Sequence, residues 1–558
     1  MTTRNIKHWF DSGTPYIWLN AGAVTISVLL VMGLLFLIAY RGLSHFWPSE
    51  IAEFQLTEAD SNTITVIGEM VEYETVQRSR LPEGDIRIPE SEELVSRTLI
   101  KMGNRDYFGL DFMWVVDLAV RDIKYPNDLM AVERHEWGNL YGYLVSVKQN
   151  GEELGDKASN LWVLFQEQII ASQDVHNEIE HVEKDLIGDI NYKMERLRLK
   201  QRSLERSGIT ADSAQLRETT EQQRLLDEEY NSYSSQLGNL YERLNQFSFV
   251  TRLSDGREVE LPLAQVVRAY QPNNMNIAED IIHYLMKLWE FVSDEPREAN
   301  TEGGIYPAIF GTVIMVLIMA VMVTPFGVVA AVYLHEYAKQ GPLVRTIRIA
   351  VNNLAGVPSV VYGVFGLGFF VYFVGGNIDA LFFSDSLPSP TFGTPGLLWA
   401  SLTLAILTVP VVIVSTEEGL SRVPRAIREG SLALGATKAE TLFRTVLPMT
   451  ASAMITGLIL AIARAAGEVA PLMLVGVVKL APSLPLDGNF PYVHLERKFM
   501  HLGFHIYDVG FQSPNVEAAR PLVYATALLL VLLIIILNLA AIRIRNKLRE
   551  KYRASEQH

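Results

Sequence analysis

Five stretches of this chain carry no charged residue and are each long enough to cross a bilayer: Ser12 to Tyr40, Gly303 to Leu334, Ile349 to Ile378, Ser386 to Thr416 and Pro521 to Ile542. A crossing takes about 20 apolar residues, because every backbone polar group in hydrocarbon must be paired within the segment. A sixth stretch, Thr445 to Val478, is interrupted only by Arg464 and Glu468. The pattern predicts an all-α polytopic membrane protein with six transmembrane helices. The first stretch is too long for the apolar core of a secretory signal and no small-residue cleavage site follows it, so it reads as an uncleaved anchor. The chain has no cysteine, which excludes disulfides, thiolate metal sites and cysteine nucleophiles.

Charge divides the chain. Residues 41 to 303 hold 27 basic against 48 acidic residues, a net of −21, while the whole chain of 558 residues nets −15. Basic residues resist translocation, so Lys- and Arg-rich loops mark the cytoplasmic side. Lys339, Arg345 and Arg348 stand between spans two and three, and Arg422, Arg425, Arg428, Lys438 and Arg444 between spans four and five. Six basic residues from Arg543 to Arg553 follow span six, whereas Gly375 to Pro395 has none. With Arg4 and Lys7 ahead of span one, both termini are expected in the cytoplasm and the acidic block outside, as an inserted α+β periplasmic domain. The expected division is 1–40 for the amino terminus and first span, 41–303 for the insertion, and 304–558 for the remaining membrane domain.

Within the insertion, Thr63 to Ile67, Phe112 to Val116, Leu161 to Phe165 and Phe247 to Leu253 read as strands, being rich in β-branched and aromatic residues. Leu226, Tyr230, Tyr233, Leu237, Leu240, Leu244 and Phe247 step by four and three, the spacing of a coiled-coil seam, as do Ile179, Val182, Leu186, Ile190, Met194 and Leu197. Ser207-Gly208 and Asp212 break the two runs, giving a coiled-coil hairpin over about 174–247. The hairpin either packs on itself to hold the β part together or docks on another subunit or on a solute receptor. The excess of negative charge argues against an anion site there.

Arg464 and Glu468, at i and i+4, would share one face of span five, and an ionisable residue inside a membrane segment is a functional candidate by default. A planar guanidinium matches a tetrahedral oxyanion, which makes Arg464 a candidate for a substrate path with Glu468 as counter-charge; a salt bridge that only orients helices is the plainer alternative. Counted from Met449 at about 1.5 Å per residue, Arg464 is expected about 22 Å along the helix, inside a hydrocarbon core about 30 Å thick. His501 and His505 have no third ligand fixed around them, so no metal site is expected. No catalytic residue is expected either.

Between spans four and five, over about 417–448, stands Glu429-Gly430-Ser431, then three residues, Gly435, nine residues, and Thr445-Val446-Leu447-Pro448. This spacing resembles the EAA loop of ATP-binding-cassette importer permeases, with Gly-Ser in place of Ala-Ala and Thr in place of Ile. A short helix ending at a glycine and followed by a second helix makes an elbow that can seat in a separate ATPase and transmit its closure. Glu429, Gly430, Ser431, Gly435, Leu447 and Pro448 are thus the expected coupling residues. The chain has no phosphate-cradling Gly-x-x-x-x-Gly-Lys-Ser/Thr of its own, so ATP and Mg would be bound by the partner.

Three further runs are similar to the phosphate permease family: Asn353-Leu354-Ala355-Gly356-Val357-Pro358-Ser359-Val360-Val361-Tyr362-Gly363, Tyr333-Leu334-His335-Glu336-Tyr337-Ala338, and Arg464-Ala465-Ala466-Gly467-Glu468-Val469-Ala470-Pro471-Leu472. Of the family's two permease types, the carboxyl-terminal segment through Gln512-Ser513-Pro514 looks more like the A type. The resemblance implies a type I importer permease fold in the inner membrane, phosphate as substrate, and three partners: a homologous C-type permease, a cytosolic ATPase dimer and a periplasmic phosphate-binding protein. No nucleic-acid partner is expected. The insertion departs from the family, and nothing about its role is carried over. The competing readings are a permease for molybdate or sulfate, and a membrane-anchored coiled-coil sensor or scaffold.

Overall fold

A computed structural model describes residues 11–57, 63–81, 93–154, 161–208, 213–513 and 516–556. Arg4, Lys7, Asp212 and Pro514 lie outside these. The chain divides into two compact units, Met1–Phe46 with Ile305–His558, and Trp47–Gly304.

Among its described residues the first unit contains six helices of membrane-crossing length and hydropathy: Thr14–Ser44, Tyr306–Tyr337, Ser359–Phe382, Leu397–Arg422, Lys438–Gly467 and Ala519–Lys547. These are spans one to six below. Span four is the centre of the bundle, with Leu404, Ala405 and Val412 buried against Met315, Met319 and Val323 of span two and Ala461 and Ala465 of span five. Lipid offers no hydrophobic drive between such helices, so they associate through close approach at small residues. A Cβ at Gly327 would meet Val412 at 2.6 Å, one at Gly419 would meet Ala453 at 2.6 Å, and one at Gly457 would meet Ser415 at 2.6 Å. Span one lies at the edge, touching span six where Gly42 meets the backbone of Ala525 and Arg41 stacks over Tyr524 at 5.6 Å.

Among its described residues the second unit holds two large antiparallel sheets and a two-stranded one, Pro296–Arg297 with Glu302–Gly303. β1 (Ile51–Thr57), β2 (Thr63–Gln77), β3 (Leu94–Lys101), β4 (Phe112–Val116) and β5 (Val120–Lys124) form the first, in the order β4-β3-β2-β1-β5. The second is built from β6 (Leu129–Arg134), β7 (Leu140–Gln149), β8 (Phe247–Arg252), β9 (Glu258–Pro262) and β10 (Val266–Tyr270), in the order β9-β8-β7-β6-β10. A helical hairpin leaves between β7 and β8. Its first arm runs through Leu161–Glu180, a π-helical stretch His181–Ile187 and Gly188–Arg206, and its second arm is Ala214–Leu244. Ile179, Val182, Leu240 and Leu244 pack between the arms, joined by Leu186, Tyr233 and Leu237.

Two expectations need correction. Leu161 to Phe165 is the first turn of the hairpin, and no strand, because Phe165 and Ile169 at helical spacing both bury against Phe249 and its neighbours in the second sheet. The first arm accordingly begins at 161 instead of about 174. Span five begins at Lys438, ahead of the sequence boundary at Thr445, and ends at Gly467 with Arg464 in its last turn.

Candidate functional site

The segment between spans four and five folds as an elbow. Pro424 precedes a short helix, Arg425–Ala433, which stops at Gly435 with φ +91, a left-handed conformation that a Cβ disfavours. Thr437 then caps the next helix: its Oγ1 accepts from the Glu440 N–H at 3.2 Å, and the Glu440 carboxylate accepts from the Thr437 N–H at 2.9 Å. The second arm runs into span five through a π turn, Leu442–Val446, and enters Leu447–Gly467 with Leu447-Pro448 as its first residues. Proline has no N–H to return to the preceding turn, and a wider turn at that point is the local consequence. Ser431 ties the arms together through Thr441, hydroxyl to hydroxyl at 2.9 Å. Glu429 and Gly430 are exposed on the first arm. Leu432, Leu434 and Phe443 are exposed beside them, with Leu434 at 91%.

Span two braces this elbow. The Glu336 carboxylate accepts the His335 ring at 3.0 Å and lies 3.1 Å from Nη2 of Arg428. Lys438 donates to the backbone carbonyl of Glu336 and its ammonium stands 4.5 Å from the Tyr337 ring. Arg348 reaches Glu417 at 3.4 Å and the Leu334 carbonyl at 3.1 Å. Sequence reasoning singled out the Tyr333–Ala338 run only as a resemblance. Its role as a brace was not legible, because Glu336 and Arg428 are separated by three helices in the chain.

A cavity of about 620 Å³ opens between spans four and five and the segment ahead of span three. Asn352, Ser415, Glu418, Arg422, Thr456 and Leu460 are among its lining residues, and Arg464 and Glu468 are not. Arg464 is nevertheless one turn beyond Leu460 on the same helix face, since residues four apart stack along one side. Its Nε is 3.5 Å from the Glu468 carboxylate. Span five ends at Gly467 and Glu468 is already extended, with ψ 133, so the pair bridges the end of the helix where two helical residues were expected. Pro471 follows, and Gly363 of span three packs on it so closely that a Cβ there would stand 2.7 Å from the Pro471 Cα. The structure thus brings together the span-three and span-five runs, which the sequence separates by about 100 residues. His501 caps the helix Leu502–Tyr507, its Nδ1 accepting from the Gly503 N–H at 3.1 Å. No cluster of three or more metal-ligating side chains occurs among the described residues.

Residues 323–550 match the family described as binding-protein-dependent transport system inner membrane component, a range that holds the elbow, the cavity and the Arg464–Glu468 pair. A phosphate transport system permease protein PstA of Mycobacterium leprae is 38% identical over 188 residues, 34% of this chain and 56% of that one. PstA 1 of Mycobacterium tuberculosis is 35% identical over 248 residues, 44% of this chain and 71% of the relative, and PstA of Yersinia pestis is 33% identical over 258 residues, 46% of this chain and 77% of the relative. The chain belongs to the PstA family of phosphate transport permeases. It is a multi-pass membrane protein, and the family match lies entirely within the first unit. A PstA-family chain so built places ion pairs at the braced elbow and at the broken end of span five.

Proposed function

We propose that this chain is the A-type permease subunit of an ATP-driven importer that carries inorganic phosphate across the inner membrane by alternating access. Its termini would lie in the cytoplasm and the Trp47–Gly304 unit outside. The observation that carries the reading is the stripe Thr456, Leu460, Arg464 on span five, which leads from the cavity to a guanidinium at the helix end. Arg464 would meet the phosphate oxyanion with its planar donors, and Glu468 would compete for the same guanidinium, keeping the site weak enough to release its cargo. The cavity, with Arg422 on its wall, would be the cytoplasmic side of the same path.

The elbow would dock on a separate ATPase, which supplies the ATP and Mg sites. Its exposed Leu434 and Phe443 offer apolar contacts, with Glu429 and Gly430 beside them, while Gly435 and the Ser431–Thr441 link keep the two arms a rigid lever. A homologous C-type permease and a periplasmic phosphate-binding protein complete the proposed assembly. The test is ATP-dependent phosphate uptake in proteoliposomes holding the whole complex, with sulfate as competitor. Arg464→Ala should abolish uptake while the complex still assembles, and Arg464→Lys should restore it only in part, because an ammonium lacks the fork. Full uptake by the alanine variant removes Arg464 from the path, and inhibition of the native complex by sulfate overturns the choice of phosphate.

A further inference from the structure

The helix Ile277–Ser293 of the second unit is built inside out for a water-soluble domain. Its buried side carries charge: Lys287 pairs with Glu133 at 2.9 Å, and Glu290 pairs with Arg268 at 3.2 Å and Arg297 at 2.5 Å. His283, on the same side, is buried against Tyr270 with ring centroids 4.4 Å apart. The opposite face is apolar and open. Ile277 is 75% exposed, Trp289 72%, Leu285 58% and Ile282 56%, with Ile281 and Met286 between them. At about 100° per residue these six occupy one continuous half of the helix. A contiguous apolar face of that kind on a folded unit marks something that covers it.

Chain continuity says what covers it. Ahead of the helix, Asn273 holds the backbone of Ile51 from both sides, accepting from its N–H at 3.0 Å and donating to its carbonyl at 2.8 Å. Ile51 is seven residues past the end of span one at Ser44. In that connection Trp47 lies against Tyr284 of the helix, ring centroids 5.8 Å apart. At the other end, a small hairpin pairs Pro296 with Gly303 and returns the chain to the helix terminus, where the Gly304 N–H donates to the Glu295 carbonyl at 3.0 Å. Gly304 is so close to the carbonyls of Glu290 and Asp294 that no side chain would fit. Two residues later, at Tyr306, span two begins. The helix is therefore tethered near both of its ends to a membrane crossing. Trp47, Tyr284 and Trp289 are the residue types that settle at the headgroup level.

We propose that Ile277–Ser293 is an interfacial helix lying in the plane of the outer membrane–water boundary, with Ile277, Ile281, Ile282, Leu285, Met286 and Trp289 inserted among lipid acyl chains. It anchors the inserted unit to the bilayer surface. The inference does not depend on the identity of the transported anion.

The absence of native cysteine allows a direct test on the full chain in vesicles of phosphatidylcholine and phosphatidylglycerol. Nitroxide labels at Ile282→Cys and Leu285→Cys are compared with a lipid reference in span one, Leu30→Cys, and a water reference on the hairpin, Ser234→Cys, by collision with oxygen and with a water-soluble nickel chelate. The expected result is an oxygen-to-nickel ratio at both helix positions several-fold above that at Ser234 and approaching that at Leu30. A ratio equal to that at Ser234 would show the face in water. Suppression of both collisions would show it covered by protein, another chain included, and either result overturns the proposal. All four sites are exposed, so the label replaces no core contact.

Discussion

Glu336, at the end of span two, holds Arg428 of the elbow at 3.1 Å, with the two side chains 12% and 21% exposed. An ion pair withdrawn from water to this degree couples two elements more firmly than a surface pair does, and removing one partner leaves the other charge underpaired. The elbow is thereby joined to the bundle by a polar clamp as well as by its two covalent ends. Arg428→Ala should loosen it by about 1–3 kcal/mol. The expected outcome is phosphate uptake reduced about tenfold or more at the lower middle of that range, with the spans still assembled. Uptake assays beside a thermal melt of the whole chain separate this from general unfolding.

Gly435 occupies φ +91 between the two arms. A side chain there is strained by about 1–2 kcal/mol whatever the space around it, and nothing lies within 4 Å to obstruct a Cβ. Gly435→Ala should therefore fold but re-aim the first arm. ATPase co-purification with the permease should weaken relative to the native chain.

Gly363 and Gly368 make a matched pair in span three. The first is pressed on Pro471 and the second has open space. Gly363→Ala must push back the backbone that follows the Arg464–Glu468 pair, since the atom it meets is a Cα and not the tip of a flexible side chain. Uptake should fall strongly for Gly363→Ala and stay close to native for Gly368→Ala, measured at equal membrane levels.

The second unit should lose stability as pH falls. Burial pushes the His283 imidazole down to about 4; the neighbouring Arg268 and Lys287 lower it further and Glu133 and Glu290 act against them. His135, half-buried and stacked on His176 at 4.5 Å, is also pushed down to about 4 by the loss of water around it. Between about 6.5 and 4 the unfolded chain then binds protons that the folded chain refuses, so stability present above pH 6.5 is lost as pH descends through that window. Thermal unfolding of the full chain should show a falling midpoint over this range, with a shallower slope in His283→Gln.

Much was legible in the sequence because hydrocarbon tolerates so few alternatives. A run of uncharged residues long enough to span a bilayer has to pair its own backbone, and six such runs appear as six helices of spanning length. The elbow was legible for a different reason: a glycine at a helix end and the spacing from Glu429 to Pro448 act within a short length of chain. Seam spacing in the hairpin arms is likewise local, and Ile179, Val182, Leu240 and Leu244 do meet between them.

Contacts between distant segments were not legible. Nothing in the local pattern of Leu161 to Phe165 separates a buried strand from the first turn of a helix; the second sheet decides it by burying Phe165 and Ile169 on one side. The same holds for the end of span five, where Gly467 and Pro471 only weaken a helix and packing of span three on Pro471 accompanies its stop. It holds most of all for Ile277–Ser293. Its periodic apolar residues would be read as a face turned to a core, and only the tertiary structure, by drawing Lys287, Glu290 and His283 into ion pairs and burial, turned that face outward. Sequence alone determined which segments are apolar enough to leave water and where the chain can bend, because those are local properties of solvation and backbone geometry. Which side of each segment meets which neighbour was decided by the folded whole, since pairing free energies between remote residues do not exist until the chain brings them together.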